Sequence, residues 1–362
     1  RMKKRIIFSV FLPTLCICLT TFNTKSFAGN RRTSFTVMTY NLENLYDATH
    51  DEGTKDYSYL PLRVKQRSEE VQTYCSSIRS PYYRERCFTM DWNAAVVKKK
   101  VENISKVIKR ANNNKSPDIL IFQEVENLNI LNILRDVGLK GEGYIESALI
   151  EGPDSRGIDV AILSKIPIAG KPKYHNIDLS SAYEPGQRVR TTRGILEVKF
   201  LLKDNKFIVL ANHWPSQANS DKTRFLAAKK LIKVCRSLKY PAIIAGDFNS
   251  LENDELNAIN ELMIGPKSKF PFWDIEKVYF DEQQEYRTTF LNLVPHRGTH
   301  NYKGEWSSLD RIFVPKNHVH GNCKIDKRCL RPEWASYQVV KFPFMLHDLT
   351  YQDRDTGEDV TY

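Results

Sequence analysis

The sequence predicts an α/β protein, and three observations support that fold class. Short runs rich in Ile, Val and Leu recur along the chain, as expected for buried strands. Stretches with apolar residues at helical spacing lie between some of them, for example Asn93 to Asn112 and Lys222 to Leu238. No repeat, low-complexity tract or shift in composition divides the chain, so we expect one domain.

The first 28 residues have the pattern of a secretory leader. A basic stretch from Arg1 to Arg5 precedes a mostly apolar run from Ile6 to Phe22, and small residues follow at the cleavage positions. We expect cleavage after Ala28, a secreted or periplasmic domain of residues 29–362, and no transmembrane segment in that mature chain. A membrane anchor is the alternative, but the apolar run is short and is interrupted by Pro13.

The net charge of the chain is +11, from 54 Lys and Arg against 43 Asp and Glu. The leader holds five of those positive charges and no negative ones, so eleven minus five leaves +6 for the mature domain. An excess of this sign favours a polyanionic partner such as nucleic acid or an anionic lipid surface. An ordinary solvated surface is equally compatible with it.

The cysteines predict local disulfides. Two of the seven, Cys16 and Cys18, lie in the leader. The other five form two close pairs and one single residue, namely Cys75 with Cys87, Cys323 with Cys329, and Cys235. In an oxidising compartment we expect two loop-closing disulfides and one buried thiol. Zinc binding is the alternative, although the Cys-x-x-Cys spacing typical of zinc sites does not occur.

A long charged and aromatic insertion follows the first core strand, at about residues 47–92, and carries Cys75 and Cys87. We expect it to be irregular and held by that disulfide. Its basic residues can reach over a polyanion, and an ordinary surface loop is the competing interpretation. These residues are Arg63, Lys65, Arg67, Arg79, Arg84 and Arg86. Asp91 is the expected N-cap of the helix that follows.

Polar side chains stand at or near the ends of five apolar strands. In chain order they are Asn41 and Glu43, Glu124, His213, Asp247 and Asn249, and Asp310. The strand from Ala242 to Ser250 shows the pattern most clearly, and Asp247 and Asn249 would point the same way if strand geometry persists. The pattern predicts one sheet edge lined with carboxylates, amides and an imidazole. Such oxygen donors suit Mg²⁺, Mn²⁺ or Ca²⁺ rather than zinc.

The residues around these strand ends form five motifs whose order and spacing resemble the endonuclease/exonuclease/phosphatase superfamily. The motifs are Tyr40-Asn41-Leu42-Glu43, Phe122-Gln123-Glu124, Asn212-His213-Trp214-Pro215, Gly246-Asp247-Phe248-Asn249 and Ser308-Leu309-Asp310. The resemblance extends from about Thr36 to Val314 and is nearest to bacterial exported nuclease-like members. It implies a four-layer α/β sandwich, in which two packed mixed sheets are flanked by helices and the site lies at one end.

The resemblance also implies roles for individual residues. Glu124 would hold the divalent ion, with Asn41 and Glu43 near it. Asp247 would orient or deprotonate the attacking water, and Asn249 would bind the scissile phosphate.

Three further residues complete the expected site. His213 would contact phosphate or assist the leaving oxygen, and Asp310 would orient a further histidine. Arg156 is a candidate phosphate clamp because its guanidinium suits phosphate oxygens, with a surface salt bridge as the alternative.

The chain departs from the family at its carboxyl end. The family has a Ser-Asp-His sequence before its last core strand, and no such sequence follows Asp310. His347 is the only late candidate for this general acid–base residue. We expect instead that the chain is cut short before the missing strand.

We therefore expect a monomeric, exported, divalent-metal phosphodiesterase that hydrolyses DNA or RNA. A phospholipid head-group phosphodiesterase of the sphingomyelinase type is the first alternative, although the insertion is charged rather than apolar. A non-catalytic binding protein is the second, since the terminal histidine is missing from the chain.

Overall fold

Two six-stranded mixed sheets form the centre of the described part of the protein. The computed structural model describes residues 17–25, 32–283, 298–302, 305–319, 330–340, 350–352 and 359–361. The strands are β1 (Ile17–Lys25), β2 (Arg32–Leu45), β3 (Ile119–Val125), β4 (Glu146–Leu149), β5 (Asp159–Ser164), β6 (Lys173–His175), β7 (Ile195–Leu202), β8 (Asn205–His213), β9 (Ala242–Asp247), β10 (Phe272–Asp274), β11 (His300–Tyr302), β12 (Glu305–Ser307), β13 (Asp310–Pro315), β14 (Arg331–Val340), β15 (Thr350–Gln352) and β16 (Asp359–Thr361).

The first sheet has the order β14-β1-β2-β3-β5-β4, and the second has the order β10-β13-β9-β8-β7-β6. Strands β11 and β12 pair separately, as do β15 and β16. Within the first sheet β2 and β3 are parallel, and within the second β8 and β9 are parallel. Each parallel pair brings two strand ends to the same edge, which is what places the candidate site.

Seven α-helices accompany the sheets in the described residues. They are α1 (Leu62–Arg67), α2 (Glu69–Ser77), α3 (Pro81–Thr89), α4 (Ala94–Asn114), α5 (Leu128–Ile133), α6 (Asp221–Ser237) and α7 (Ile275–Gln283). Asn93 is the N-cap of α4, because its side chain accepts hydrogen bonds from Ala95 and Val96. The prediction of Asp91 at this position is wrong, since Asp91 instead accepts from the backbone of Leu62. No helix in these described segments is long and apolar enough to cross a bilayer.

Three apolar layers separate the elements. On β3, Ile119 and Ile121 face the second sheet, while Leu120 and Phe122 pack under α4 and α5. A third cluster lies on the far side of the second sheet, where Leu231 of α6 packs with apolar residues of β8 and β9. Alternate side chains of one strand therefore enter different layers. The predicted α/β class, with two packed mixed sheets flanked by helices, is confirmed.

The insertion at residues 47–92 is helical rather than irregular, because it contains α1, α2 and α3. The predicted disulfide between Cys75 and Cys87 is present and joins α2 to α3. Lys65 is fully buried, and its ammonium group donates to the carbonyls of Ser58, Cys87 and Met90 at 2.6, 2.9 and 2.7 Å. Lys65 therefore stabilises the insertion and is not available to a polyanion, unlike its exposed basic neighbours.

The amino-terminal stretch contradicts one expectation. Residues 1–28 were expected to lie outside the fold, yet β1 (17–25) pairs with β2 on one side and with β14 on the other. Its Leu19 and Phe22 are buried in apolar clusters, which an extended apolar run favours once neighbouring strands are available. Cleavage after Ala28 stays a prediction.

Several expectations lie outside the described residues. They concern the Cys323–Cys329 disulfide and the candidate His347. Cys235, by contrast, is a buried free thiol on α6, as predicted. That the chain lacks a last core strand stays a prediction.

Candidate active site

Four side chains from both sheets meet at one edge, and we call them the central cluster: Asn41, Glu124, His213 and Asp247. Asn41 lies in β2 and donates from Nδ2 to Asp247 Oδ2 across the two sheets at 3.2 Å. His213 ends β8, and its Nε2 lies 3.8 Å from Asp247 Oδ2 and 3.9 Å from Glu124 Oε1. The predicted gathering of polar strand ends therefore occurs, with Asp247 at its centre.

The backbone at the end of β9 places Asp247 and Asn249 differently from the predicted continuous strand. The strand stops at Asp247, and Asn249 has a positive φ of 49°. Asn249 donates its backbone N–H to Asp247 Oδ1 at 2.8 Å and its side-chain amide to Trp214 O at 3.2 Å. Strand geometry therefore does not persist beyond Asp247, so the condition for strand alternation is not met, and a turn brings Asn249 to the site.

Glycine is required at position 246 by a close approach between strands. A Cβ added there would lie 1.9 Å from the carbonyl oxygen of Asn212 in the parallel strand β8. Positive φ also occurs at two acidic residues of the site, Glu43 at 50° and Glu124 at 62°. Such angles are uncommon for residues with a side chain and are often found at functional sites.

Burial controls the protonation of the central cluster. Burial raises the pKa of Asp247 to about 6, against the hydrogen bonds from Asn249 and Asn41 that lower it. Burial also lowers the pKa of His213 well below its usual range, and the charges of Arg193 and Arg156 lower it further. His213 is therefore a neutral imidazole at pH 7, able to donate or accept a single hydrogen bond at each nitrogen.

Glu43 lies beside this cluster and is partly neutralised by a lysine. Its backbone N–H donates to Asn41 Oδ1 at 2.9 Å, and its carbonyl accepts from Lys100 Nζ at 2.9 Å. Burial raises the pKa of Glu43 to about 8, while Lys100 lowers it and Glu124 raises it. The structure thus brings Glu43 and Glu124 close enough for their charges to interact.

Asp310 begins β13 directly opposite Asp247 in the antiparallel pair. It is buried, its backbone N–H donates to Thr299 Oγ1 at 3.0 Å, and its Oδ1 has no hydrogen-bond partner. Burial and the charge of Asp247 raise the pKa of Asp310. In the segments that the structure describes no histidine contacts Asp310, so its expected role in orienting one stays a prediction.

A pair of arginines lines the same edge, and the sequence predicts only one of them, Arg156. Asp154 Oδ2 pairs with Arg156 at 3.1 Å and with Arg193 at 3.0 Å. Arg193 is 5% exposed and also donates to Trp214 O at 3.0 Å, the carbonyl that Asn249 contacts. Arg156 is half exposed and makes the salt bridge that was the alternative interpretation, and the charge of Glu124 also acts on it. Its role as a phosphate clamp stays a prediction.

The signal for Arg193 was available in the pairing of strands rather than in any motif. Arg193 stands two residues before β7, which is antiparallel to β8. The start of β7 therefore lies at the edge where β8 ends with His213. Pairing the two predicted strands as a hairpin places Arg193 at the site.

The donors of this edge fit a divalent cation. Glu43 Oε2 is enclosed and has no hydrogen-bond partner, and the charge of Glu124 acts on the same carboxylate. Carboxylate and amide oxygens are the ligands that Mg²⁺, Mn²⁺ and Ca²⁺ prefer. No three His, Cys, Asp or Glu side chains in the described residues already surround one metal position. Glu124, Glu43 and Asn41 are therefore the residues available to such an ion.

Comparison with protein families identifies the class to which the chain belongs. Residues 83–330 match the model of the Endonuclease/Exonuclease/phosphatase family, and this match covers well over half of the chain. The protein therefore belongs to the endonuclease/exonuclease/phosphatase family and is a hydrolase acting on phosphodiester bonds.

Solved structures with a similar fold include three from distinct sources. A hairpin-deletion mutant of beta toxin from Staphylococcus aureus is 16% identical over 61% of this chain and 82% of its own, with a TM-score of 0.38. An endonuclease/exonuclease/phosphatase from Bacteroides vulgatus is 16% identical over 60% and 78%, with a TM-score of 0.41. The human nocturnin catalytic domain is 14% identical over 62% and 82%, with a TM-score of 0.39. At these values the likenesses carry no functional argument. No curated protein matches the chain.

Proposed function

We propose that this protein is a divalent-metal-dependent nuclease that hydrolyses DNA or RNA by attack of water on phosphorus. The observation that carries the proposal is the central cluster, where an acid and a neutral imidazole meet beside one buried and one half-exposed guanidinium group. Phosphodiester hydrolysis depends on positioning the water and stabilising negative charge on the phosphate, and this arrangement offers both functions.

Asp247 is the residue proposed to orient the water. Its Oδ2 already accepts from Asn41 and its Oδ1 from the Asn249 backbone, so the carboxylate is held in one orientation. A fixed carboxylate with a pKa of about 6 is ionised near neutral pH and can accept a proton from water.

Asn249, His213 and Arg156 are proposed to contact the phosphate. His213 is neutral, so it acts as a hydrogen-bond donor or acceptor and not as a fixed charge. Arg156 is half exposed and can turn towards a ligand, whereas Asn249 is held by Trp214 O. Glu124, Glu43 and Asn41 would hold Mg²⁺ or Mn²⁺, with Ca²⁺ as a third possibility, and the ion when bound would neutralise phosphate charge.

A nucleic-acid contact surface is proposed on α3 of the insertion. Tyr82 and Tyr83 are 41% and 61% exposed, and their rings lie 5.2 Å apart. Arg84 is also exposed, and the charge of Arg86 on the same helix acts on Glu43. Exposed aromatic rings interleaved with arginines suit stacked bases and backbone phosphates.

The test is cleavage of plasmid DNA and of single-stranded RNA by the pure full-length protein in Mg²⁺ or Mn²⁺, with a chelator control. We expect cleavage that Asp247→Asn abolishes. Asp178→Asn is the matched control, because Asp178 is exposed and only caps a local turn through Ser180. Intact nucleic acid with every metal would contradict the proposal.

The same preparation separates the two alternatives. Release of the head group from sphingomyelin or phosphatidylcholine vesicles, without nuclease activity, would identify a lipid phosphodiesterase. Mg²⁺-dependent DNA binding without cleavage of either substrate would identify a binding protein that has kept the fold.

Export to the periplasm or the medium is also proposed, on the basis of the leader-like residues 1–28. Sequencing the amino terminus of the protein recovered from each cell fraction tests it. A terminus at Gly29 in the exported fraction supports cleavage, and that molecule must fold without β1. A cytoplasmic protein that keeps residues 17–25 would contradict export.

A further inference from the structure

A second group of acids lies beside the central cluster, on the loop that follows β2 and the segment that follows β3. We call it the outer acidic cluster, and its members are Asp47, Asp51, Asp56 and Glu126. Asn127 joins two of them, because its Nδ2 donates to Asp51 Oδ2 at 2.8 Å and to Asp47 Oδ2 at 3.3 Å. Glu126 Oε2 accepts from the backbone N–H of Asp47 at 2.7 Å. The carboxylates of Asp47, Asp51 and Glu126 therefore lie around one short stretch of chain.

The charge of this cluster is not balanced by protein cations. His50 pairs with Asp56 through Nδ1 and Oδ1 at 2.5 Å. No Lys or Arg in the described ranges lies within ion-pair distance of the four acids. Asp56 is 1% exposed, and both of its oxygens have donors, namely His50 Nδ1 and the backbone N–H of Asp51. Glu126, by contrast, is 2% exposed, and one of its oxygens has no partner in the described residues. Burying a carboxylate without a counter-charge is costly.

Glu126 supplies a second observation, independent of the clustering. Its Oε1 is enclosed and has no hydrogen-bond partner, although the carboxylate faces the charges of Asp47, Asp51 and Asp56. Buried polar atoms in native proteins are nearly always satisfied by protein, water or an ion. A buried carboxylate oxygen without a partner, in a group on which the charges of three other acids act, is a position that a cation can satisfy.

We propose that Asp47, Asp51 and Glu126 bind a second divalent cation, Ca²⁺, at a site that is not part of the phosphodiesterase centre. The donors are all oxygen: Asp47 and Asp51 come from an irregular loop whose backbone carbonyls can add to them, and Glu126 directly follows β3. Ca²⁺ accepts such irregular, high-coordination sites more readily than Mg²⁺, which requires a near-ideal octahedron. The acids do not yet surround one point, so binding requires their side chains to rotate together.

The cation would fix the loop against the first sheet, which contains β2, β3 and β5. The backbone N–H of Glu126 donates to Leu45 O at 3.0 Å, and that of Lys55 donates to Ser155 O at 2.7 Å. The loop therefore touches the exit of β3, two residues beyond Glu124, and the turn that carries Arg156. A clamp at this position would hold Glu124 and Arg156 in place without contacting substrate.

The test measures Ca²⁺ binding by calorimetry on chelator-treated, full-length protein. Glu124→Gln is used as the background because it removes the carboxylate proposed for the other ion. We expect this variant to bind Ca²⁺ and to unfold at a higher temperature with Ca²⁺ than without it. Adding Glu126→Gln or Asp51→Asn should weaken that binding at least tenfold, whereas the exposed control Glu52→Gln should leave it unchanged.

Two results would overturn the inference. The first is a Glu124→Gln/Glu126→Gln protein that binds Ca²⁺ as tightly as its parent, which would mean that Glu126 is a neutral acid or bonds to water. The second is a Glu124→Gln protein that binds no Ca²⁺ at all. Because Asp51 is only half buried, Asp51→Asn keeps the test available if Glu126→Gln does not fold. The readout is independent of the proposed nuclease activity.

Discussion

The outer acidic cluster follows β2 and β3, two of the four strands whose ends form the central cluster, yet the charges of the two clusters are balanced in different ways. At the central cluster the charge of Glu124 interacts electrostatically with three basic residues, Arg193, Arg156 and Lys100. At the outer cluster His50 pairs with Asp56, and no Lys or Arg of the described residues lies within ion-pair distance of the acids. Protein side chains therefore preorganise the central cluster for phosphate chemistry, whereas the outer acidic cluster depends on a cation from solution.

The largest expected effect is on activity and concerns His213. We expect His213→Gln to reduce cleavage roughly 10²- to 10⁴-fold, as is usual for a positioned group in acid–base or phosphate contact. Initial rates on plasmid DNA measure it, with unfolding temperature confirming the fold. His175→Gln is the matched control, because His175 is a partly buried histidine that pairs with Glu197 on β7 rather than with an acid of the central cluster. A loss below tenfold would make His213 structural and would weaken the distinction between the clusters.

The next effect concerns the cations that balance the central cluster. Arg193→Ala removes a buried guanidinium and leaves Asp154 without its enclosed partner, so we expect a loss of about 3–5 kcal/mol in the free energy of unfolding. Arg156→Ala removes a half-exposed partner of the same carboxylate and should cost about 1 kcal/mol or less. Denaturant titration of both variants measures the difference. Equal costs would show that burial of Arg193 has no special role.

The next prediction concerns the disulfide of the insertion, and it asks whether the insertion stabilises the outer acidic cluster independently of the central cluster. Cys75 and Cys87 are 12 residues apart and pack with Tyr57, the neighbour of Asp56. Replacing both by Ser should cost about 3 kcal/mol, the value expected for closing a short loop. Unfolding monitored with and without a reductant measures it: the reductant should destabilise the wild type and leave the double variant unchanged. A reductant effect in the variant would locate the sensitivity elsewhere.

The last effect is a pH dependence at Asp159, an acid at the start of β5 that is buried with little compensation. Burial raises its pKa to about 7, although Gly152 donates a hydrogen bond to its Oδ1 at 2.9 Å. The folded protein therefore binds more protons than the unfolded chain between about pH 4 and pH 7. The free energy of unfolding should fall as pH rises through this window, by up to about 1.4 kcal/mol per pH unit from this group.

Asp159→Asn removes this titration and keeps the hydrogen-bond acceptor. We expect the variant to lose that slope and to be more stable than the wild type at pH 8. Thermal unfolding from pH 4 to pH 8 measures both curves. If the unfolding temperatures of the variant and the wild type change with pH in parallel, Asp159 stays ionised, as an acid with a cationic partner does.

Some features followed from local pattern alone. Apolar runs predict the core strands, and the strand expected from Ala242 begins at that residue as β9 (Ala242–Asp247). The close pair Cys75 and Cys87 predicted the disulfide in the same way. The polar residues at strand ends predicted one shared sheet edge, because a polar or charged group at the end of a buried strand is hard to explain unless it has a function. These residues are Asn41, Glu124, His213 and Asp247.

Other features depended on pairing between distant strands. The parallel pairs β2–β3 and β8–β9 bring Glu124 and His213 within 3.9 Å, and the antiparallel β7 adds Arg193. The turn at Asn249 and the orphaned oxygen of Glu126 arise in the folded chain and have no local signal. Likewise β1 joins the first sheet only because β2 and β14 lie on either side of it.

The sequence by itself determined the layered α/β class, the family and the chemical types of the site residues, since these depend on periodicity and short motifs. The tertiary structure decided which cations balance which acids. Charge balance is set by distances of 3 to 4 Å between residues far apart in the chain, and burial then sets the pKa of Asp247 and His213. That is the physical reason why two acidic groups of similar composition have different expected ligands.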